Sequence, residues 1–202
     1  MSLEIEKIIL SGPANEGLVL LGRIIAEAGL VRNLEVTYLP AYGPTPVGED
    51  VECTIILSTA EVGSPVVGVP DVVFASGAQS FHRLNGALKA GGLVVFDASR
   101  FEPFPGHVRD DVRPIGVPAA ELFNTVVPLT LQNASLVGAF VAYSRLLDVA
   151  TVEQAISRVC STGSLPAEVT ARKLKGAVQK GARFVRDKGY RSTRYRYSIF
   201  MA

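Results

Sequence analysis

Short apolar runs of strand length alternate with helical segments along most of this sequence, and the opening unit limits the fold most strongly. Residues 6–10 predict a buried strand, an apolar helix over residues 16–28 follows a turn, and residues 34–39 predict a second strand. Asn15 is the expected N-cap of the helix and Gly29 its expected C-cap. A strand–turn–helix–strand unit of this kind opens a doubly wound sheet. We therefore predict an α/β fold: a three-layer α/β/α, Rossmann-like domain with a mainly parallel sheet.

The remaining segments extend the same pattern. Strands are predicted over residues 51–58, 71–75, 93–97 and 111–117, and helices over residues 80–88, 131–147, 151–159 and 166–188. The strand over 111–117 belongs at a sheet edge, because Pro114 has no N–H to donate to a ladder. A length of 202 residues suits one well-buried core. We expect a single domain over 1–202, in which residues from about 165 onward form a basic C-terminal helix and arm.

The first turn resembles a dinucleotide-binding fingerprint without meeting its chemical needs. Where Gly-x-Gly-x-x-Gly is typical, this chain has Gly12-Pro13-Ala14-Asn15-Glu16-Gly17. Pro13 removes a backbone donor, and Glu16 puts a carboxylate at the helix N-terminus, where it meets the helix dipole and repels a pyrophosphate. The sequence therefore predicts a structural turn that does not bind a dinucleotide with useful affinity.

A second loop, between the strands over 34–39 and 51–58, is rich in proline and glycine. The loops that follow parallel strands gather at one edge of an open sheet, where ligands or partners bind. We therefore expect residues 42–48 to lie beside the first turn at the C-terminal edge. Five candidate residues define this ligand or partner face: Gly12, Gly17, Tyr42, Gly43 and Gly48.

Residues that carry catalysis or bind metals are sparse. Cys53 and Cys160 are the only cysteines, too few for the usual four-thiolate ligation of an iron–sulfur cluster. His82 and His107 have no metal-ligand spacing and no visible acid or nucleophile partner. We expect no catalytic residue, metal or cofactor on this chain. We also expect reduced thiols, a cytoplasmic location, no signal peptide and no membrane span.

Charge is unevenly distributed, although the net charge of +1 predicts binding to neither nucleic acid nor membranes. Ten of the twenty Lys and Arg fall between Arg172 and Arg196, where Asp187 is the only acid. Residues 191–197 alternate cations with aromatic side chains. Three interpretations of this tail remain open: a nucleic-acid contact, an arm that lies across a partner subunit, or a solvated tail. The 48% apolar content favours a buried interface somewhere on the chain.

Several stretches occur in an order that is known from one family. They are Ile8-Ile9-Leu10-Ser11-Gly12, residues 17–28, Val36-Thr37-Tyr38-Leu39-Pro40-Ala41-Tyr42-Gly43-Pro44, Gly48 with residues 52–58, Gly63-Ser64-Pro65 with residues 70–72, residues 88–94, and Asn133 with residues 136–139. With these stretches the chain resembles the gamma subunit of the 2-oxoacid:ferredoxin oxidoreductases, which act on pyruvate, 2-oxoglutarate, branched-chain 2-oxoacids or indolepyruvate. The resemblance spans about residues 8–156.

The resemblance implies a subunit that is inactive alone. The family's reaction is the oxidative decarboxylation of a 2-oxoacid to an acyl-coenzyme A, with ferredoxin as the electron acceptor. It implies thiamine diphosphate, iron–sulfur clusters and coenzyme A in the complex, and alpha, beta and delta subunits as partners. The gamma component is expected to help assembly near the coenzyme A site. Two alternatives remain: a non-catalytic scaffold relative in another complex, and a free-standing nucleotide-binding protein.

Two loops depart from the family's pattern. The family's first turn is usually Gly-x-Gly-Gly-Gln-Gly, whereas this chain has Ala14-Asn15-Glu16 before Gly17. After Tyr-Gly-Pro the family usually continues with Glu, a variable residue and Arg-Gly-Gly, whereas this chain continues with Thr45-Pro46-Val47-Gly48-Glu49. Both departures fall on the face defined by the five candidate residues, so the family's ligand contacts there do not transfer residue by residue.

Overall fold

The computed structural model describes residues 4–40, 50–100, 108–163 and 165–188. The strands are β1 (Ile5–Pro13), β2 (Glu35–Pro40), β3 (Asp50–Ser58), β4 (Val72–Ala75), β5 (Leu93–Asp97) and β6 (Arg113–Val117). The helices are α1 (Leu18–Val31), α2 (Ala78–Ala87), α3 (Leu129–Val141), α4 (Val149–Thr162) and α5 (Ala171–Asp187). Short 3₁₀ turns at Ala14–Glu16 and Ala98–Arg100 follow β1 and β5. None of the described helices is both long and apolar enough to cross a membrane.

The six strands form one sheet in the order β2-β3-β1-β4-β5-β6. β4 pairs in parallel with β1 and β5, and β6 pairs in parallel with β5. β3 alone runs against its neighbours and is antiparallel to both β1 and β2. The mainly parallel α/β sheet is thus confirmed, with the proline-bearing strand β6 at its edge. Because β3 is reversed, its first residue, Asp50, lies opposite Pro13 at the end of β1.

Helices cover the two faces of the sheet unequally. On one face α1 and α3 pack directly on the strands, α4 packs mainly on α1, and α5 packs mainly on α3. On the other face α2 packs on β1 and β4 through a smaller apolar cluster, in which the rings of Phe81 and Phe96 meet edge to face at 5.4 Å. This arrangement is the predicted three-layer fold with one thick and one thin helical layer.

The contact between α3 and α5 depends on small residues. A Cβ added at Gly138 would overlap the carbonyl of Val178, and one added at Gly181 would overlap the carbonyl of Ser135. The two backbones therefore approach each other more closely than any larger side chain permits. This contact places α3, which carries Asn133, firmly under the edge of the sheet where the first turn lies.

The ends of the first helix differ from the sequence expectation. β1 extends through Pro13, and α1 begins at Leu18 after the 3₁₀ turn, so Asn15 is not an N-cap. Gly17 occupies that position with a left-handed backbone, at φ 75°. Gly29 lies inside α1 and packs against Val36 and Leu57, and Arg32 is the C-cap. The basic arm after residue 188 lies outside the described residues.

Candidate functional site

The first turn lies at the C-terminal edge of the sheet, beyond the end of β1. Gly12 and Pro13 still belong to the ladder, opposite Val51 and Asp50. The chain leaves the sheet only at Ala14, and the side chains of Ala14 and Asn15 are exposed at the tip of the turn. The polypeptide then turns inward, so the next residue, Glu16, is buried.

The carboxylate of Glu16 is held by residues from two distant segments. Arg100, in the 3₁₀ turn after β5, donates from Nη1 to Glu16 Oε1 at 2.5 Å. Asn133, on α3, donates from Nδ2 to the Glu16 carbonyl at 3.2 Å and to Oε2 at 3.4 Å. The side chains of Glu16 and Arg100 are 2% and 31% exposed. We call these three residues the Glu16 network; it ties the first turn to the end of β5 and to α3.

This geometry corrects the expected role of Glu16. The carboxylate faces Arg100 and Asn133, and no side chain caps the N-terminus of α1 at Gly17. The turn still does not fit a pyrophosphate. Pro13 has no N–H, and Gly12 is engaged in the ladder with β3 instead of forming an open loop.

The structure gives both described glycines of the candidate face a packing role. A Cβ at Gly12 would overlap the hydroxyl of Ser76, and one at Gly17 would lie 2.5 Å from Thr130 side-chain atoms. Gly17 also needs a positive φ, which favours glycine. These constraints explain both glycines without a ligand, and their contact with one stays a prediction.

The other candidate residues, Tyr42, Gly43 and Gly48, lie outside the described residues. The two ends of their loop are described. Pro40 ends β2 opposite Cys53, and Asp50 begins β3 opposite Pro13. Both ends are therefore at the edge of the sheet that carries the first turn. The position of residues 42–48 beside that turn stays a prediction.

Sequence reasoning missed a polar cluster on the α2 side of this edge. Arg83 Nη2 lies 2.7 Å from Glu52 Oε2 and donates to Ser11 Oγ at 3.0 Å. The hydroxyl of Ser80 lies 3.1 Å from that of Ser11 and donates to a carboxylate oxygen of Asp50. These contacts fasten the start of β3 to α2. No sequence motif connects β1, β3 and α2, so the sequence carried no signal for this cluster.

Asp97 fixes the end of β5 next to the Glu16 network. It is fully buried, and its Oδ1 accepts hydrogen bonds from the N–H and hydroxyl of Ser99 and from the N–H of Ala119. Three buried polar atoms near this edge have no hydrogen-bond partner among the described residues. They are Ser76 Oγ, Asp97 Oδ2 and Asn133 Oδ1. Buried polar atoms of this kind are usually satisfied by ordered water or by a bound group.

The two cysteines differ in their exposure. Cys53 lies in the core between Gly22 and Tyr38, and burial raises the pKa of its thiol to about 12. Burial also raises the pKa of Cys160 on α4. A protonated, enclosed thiol such as that of Cys53 is a poor metal ligand, and Cys160 is half-buried. The described residues contain no group of three or more His, Cys, Asp or Glu that could hold a metal ion.

A comparison with protein-family models gives a match over most of the chain. The model described as pyruvate ferredoxin/flavodoxin oxidoreductase matches residues 7–180. The match includes the described strands apart from the first two residues of β1, helices α1 to α4, and the first ten residues of α5. Both the Glu16 network and the polar cluster on the α2 side lie within the match.

Curated relatives and solved structures agree with that match. Ketoisovalerate oxidoreductase subunit VorA of Methanothermobacter marburgensis is 28% identical over 136 residues, which are 67% of this chain and 28% of VorA. The chain thus spans little more than a quarter of VorA. 2-Oxoglutarate synthase subunit KorC of the same organism is 24% identical over 166 residues, which are 79% of this chain and 88% of KorC.

Among solved structures, the gamma subunit of a keto/oxoacid ferredoxin oxidoreductase from Geobacter sulfurreducens superposes with a TM-score of 0.71 and 22% identity. That superposition covers 90% of this chain and 99% of the other. The 2-oxoglutarate:ferredoxin oxidoreductase of Magnetococcus marinus gives a TM-score of 0.77 at 17% identity and covers 91% of this chain and 31% of the other. At these identities the superpositions establish a shared fold.

Proposed function

The chain belongs to the pyruvate ferredoxin/flavodoxin oxidoreductase family, and on this premise we propose that it is the gamma-type subunit of a 2-oxoacid:ferredoxin oxidoreductase. The complex would convert a 2-oxoacid to an acyl-coenzyme A and pass the electrons to ferredoxin. The observation that carries this proposal is the family match over residues 7–180, supported by a KorC subunit of which 88% aligns with this chain. The relatives are named for ketoisovalerate and 2-oxoglutarate, so the proposed substrate class is the 2-oxoacids.

In this proposal the chemistry takes place on companion alpha, beta and delta subunits. Thiamine diphosphate and iron–sulfur clusters would supply decarboxylation and electron transfer there. In support, the described residues of this chain contain no group of three or more His, Cys, Asp or Glu that could hold a metal ion. The gamma-type chain, which we place in the cytoplasm, contributes a preshaped surface to the assembly. It would be inactive alone.

The C-terminal edge of the sheet is the surface that we assign to this role. The Glu16 network and Asp97 hold the ends of β1 and β5 in fixed positions, and the exposed tip of the first turn projects from them. Tyr42, Gly43 and Gly48 would complete the face, next to the approach of coenzyme A. Fixing the backbone before binding lowers the entropy cost of docking a partner or ligand.

Purification from the native host tests the proposal. A tagged chain should bring with it companion chains that bind thiamine diphosphate, and the complex should reduce ferredoxin with a 2-oxoacid and coenzyme A. The same chain purified alone is the control and should show no turnover. Recovery of the chain without companions, or with companions that lack thiamine diphosphate, contradicts the proposal. A solitary chain that retains a nucleotide supports the nucleotide-binding alternative.

Replacement of Tyr42 tests the assigned face separately. If this face meets a companion subunit or coenzyme A, Tyr42→Ala weakens assembly or raises the KM for coenzyme A while the melting temperature stays nearly unchanged. Normal assembly and turnover by the variant, or its unfolding, would remove Tyr42 from the face.

A further inference from the structure

Helix α5 presents a row of cations to solvent that the proposed function does not use. Its exposed basic residues are Arg172, Lys173, Lys180, Arg183 and Arg186, and Lys175 is half-buried. No acidic residue occurs between positions 171 and 186. The opposite face of the helix is apolar and packs mainly on α3. One side of α5 therefore belongs to the core, and the other side is a dense stripe of positive charge.

The charge pattern in the first turns of α5 opposes the electrostatics of an isolated helix, whereas Arg186 in the last turn suits the helix dipole. Arg172, Lys173 and Lys175 lie in the first turns, where the positive end of the helix dipole disfavours cations. Arg183 and Arg186 are three positions apart, a spacing at which like charges repel. A solvated helix face usually interleaves acids with bases. The helix is maintained by its apolar contacts and by the Thr170 cap, which accepts a hydrogen bond from Lys173 N. Helix stability therefore does not explain the cations of the first turns or the absence of acids between them.

Among the described residues, some of these cations have partners and others do not pair with a carboxylate. Lys173 Nζ donates to the Glu168 carbonyl at 3.0 Å, and Lys180 Nζ donates to the Leu122 carbonyl at 2.7 Å. By contrast, within the described part of the chain no ion pair joins Arg172, Arg183 or Arg186 to a carboxylate.

The three arginines share one stripe of the helix. Arg172 and Arg183 are eleven residues apart, about three turns or roughly 16 Å along the axis. Arg186 lies one turn beyond Arg183. A guanidinium is always charged and binds a carboxylate through two parallel hydrogen bonds. The stripe therefore suits a series of carboxylates.

The surroundings of the stripe favour a protein segment over a polynucleotide. Residues 1–163 contain ten Lys and Arg against seventeen Asp and Glu, whereas residues 164–202 contain ten against two. Glu153 borders the stripe and accepts a hydrogen bond from Gln179 at 2.6 Å, and Asp187 closes one end. Among the described residues, Glu153 and Asp187 border the stripe, and their charges would repel the continuous negative charge of a nucleic acid.

We propose that the exposed face of α5, centred on Arg172, Arg183 and Arg186, docks an acidic segment of a companion protein chain. This inference rests on the proposed function, in which the chain works inside an assembly. It adds a contact surface on a helix of the thick helical layer, separate from the face assigned at the first turn.

A peptide-binding comparison tests the surface directly. Fluorescence anisotropy of a short Glu-rich peptide is measured with the full chain, with R172Q/R183Q and with R23Q/R158Q, a control that removes the same charge from α1 and α4. We expect about a tenfold loss of affinity for R172Q/R183Q and less than about a twofold loss for the control. Equal losses of affinity in both variants would show that the peptide responds to net charge alone, and would overturn the proposal. Tighter binding of duplex DNA than of the peptide, lost only in R172Q/R183Q, would overturn it in favour of nucleic acid.

Co-purification from the native host then separates this inference from the proposed function. Wild-type chain and R23Q/R158Q should retain companion chains, and R172Q/R183Q should lose at least one of them. Full retention by R172Q/R183Q refutes the docking surface and leaves the proposed function intact. A wild-type chain that purifies alone refutes both the proposed function and the docking of a companion, whatever the peptide shows. Thermal melting checks the fold of each variant. Because R172Q/R183Q removes like charges from α5, we expect the Tm of this variant to be no lower than that of the wild-type chain.

Discussion

Replacing Arg100 by Met tests how strongly the Glu16 network holds the first turn. The change keeps most of the aliphatic stem and removes the charge that faces Glu16 Oε1 at 2.5 Å. A carboxylate that is 2% exposed then keeps only Asn133 as a described partner, at 3.4 Å. Removing one partner of a fully buried pair costs about 3–5 kcal/mol. Because water reaches the 31% exposed Arg100 side chain, we expect a loss of about 2–3 kcal/mol in the free energy of unfolding.

A double-mutant cycle measured by urea unfolding assigns that loss to the pair. Glu16→Gln removes the charge, keeps the shape of the side chain and should cost no more than about 1 kcal/mol. The double variant should be more stable than the sum of the two losses predicts, by at least about 1 kcal/mol. The control is Arg32→Met, because Arg32 and Asp148 form an exposed pair at 3.8 Å that contributes about 0–1 kcal/mol. A loss below about 0.5 kcal/mol for Arg100→Met, or additive losses, would refute the reasoning.

Three further predictions concern other parts of the structure. Gly181→Val should lower the free energy of unfolding by at least about 3 kcal/mol, because the new side chain would meet a backbone carbonyl of α3. Gly176 faces open space, so Gly176→Ala should raise the free energy of unfolding by about 0.5–1 kcal/mol. Equal effects of the two substitutions would contradict this prediction. Hydrogen bonds from a backbone N–H and a hydroxyl in the first turn of α4 lower the pKa of Asp148 below its usual 3.8, so this stabilisation is present above that pH and is lost as the pH falls through the folded pKa. Asp148→Ala should therefore cost about 1 kcal/mol in chemical denaturation at pH 7. The cost should decrease as the pH falls below 3.8, and a difference that does not change with pH argues against the charged cap. In native protein at pH 8, a disulfide reagent should modify Cys160 well before Cys53, because burial raises the pKa of the Cys53 thiol to about 12. Equal rates of modification would show that the reagent reaches the core.

The central strands could be predicted because their signal is local. Residues 93–97 form β5 as expected, and the strand predicted over 51–58 corresponds to β3 with one residue added at its start. The ends of β1 could not be predicted in the same way. The strand continues through Pro13 because β3, nearly forty residues later in the sequence, pairs with it as far as Asp50. Strand length here depends on a partner that local pattern does not identify.

The same distance in sequence hides the partners of the site. Glu16 was expected at the N-terminus of the helix, where it meets the helix dipole, and that expectation was wrong, because Glu16 precedes α1 and pairs with Arg100. Its partners Arg100 and Asn133 lie 84 and 117 residues away. Neither belongs to a motif that includes the first turn, and only the folded sheet brings the end of β5 and α3 beside it. Sequence reasoning could therefore identify the turn but not the contacts that fix it.

The nature of the Glu16 network bears on what the altered first turn means. The family usually has Gln where this chain has Glu16, and a neutral amide would avoid the desolvation cost of a buried carboxylate. An ion pair at such a position adds little stability, but it restricts which segments can meet. Here it joins the turn after β1 to the turn after β5, which flank β4 in the sheet. The departures at positions 14–16 thus accompany a constrained edge, and a constrained edge is what a preshaped assembly surface requires.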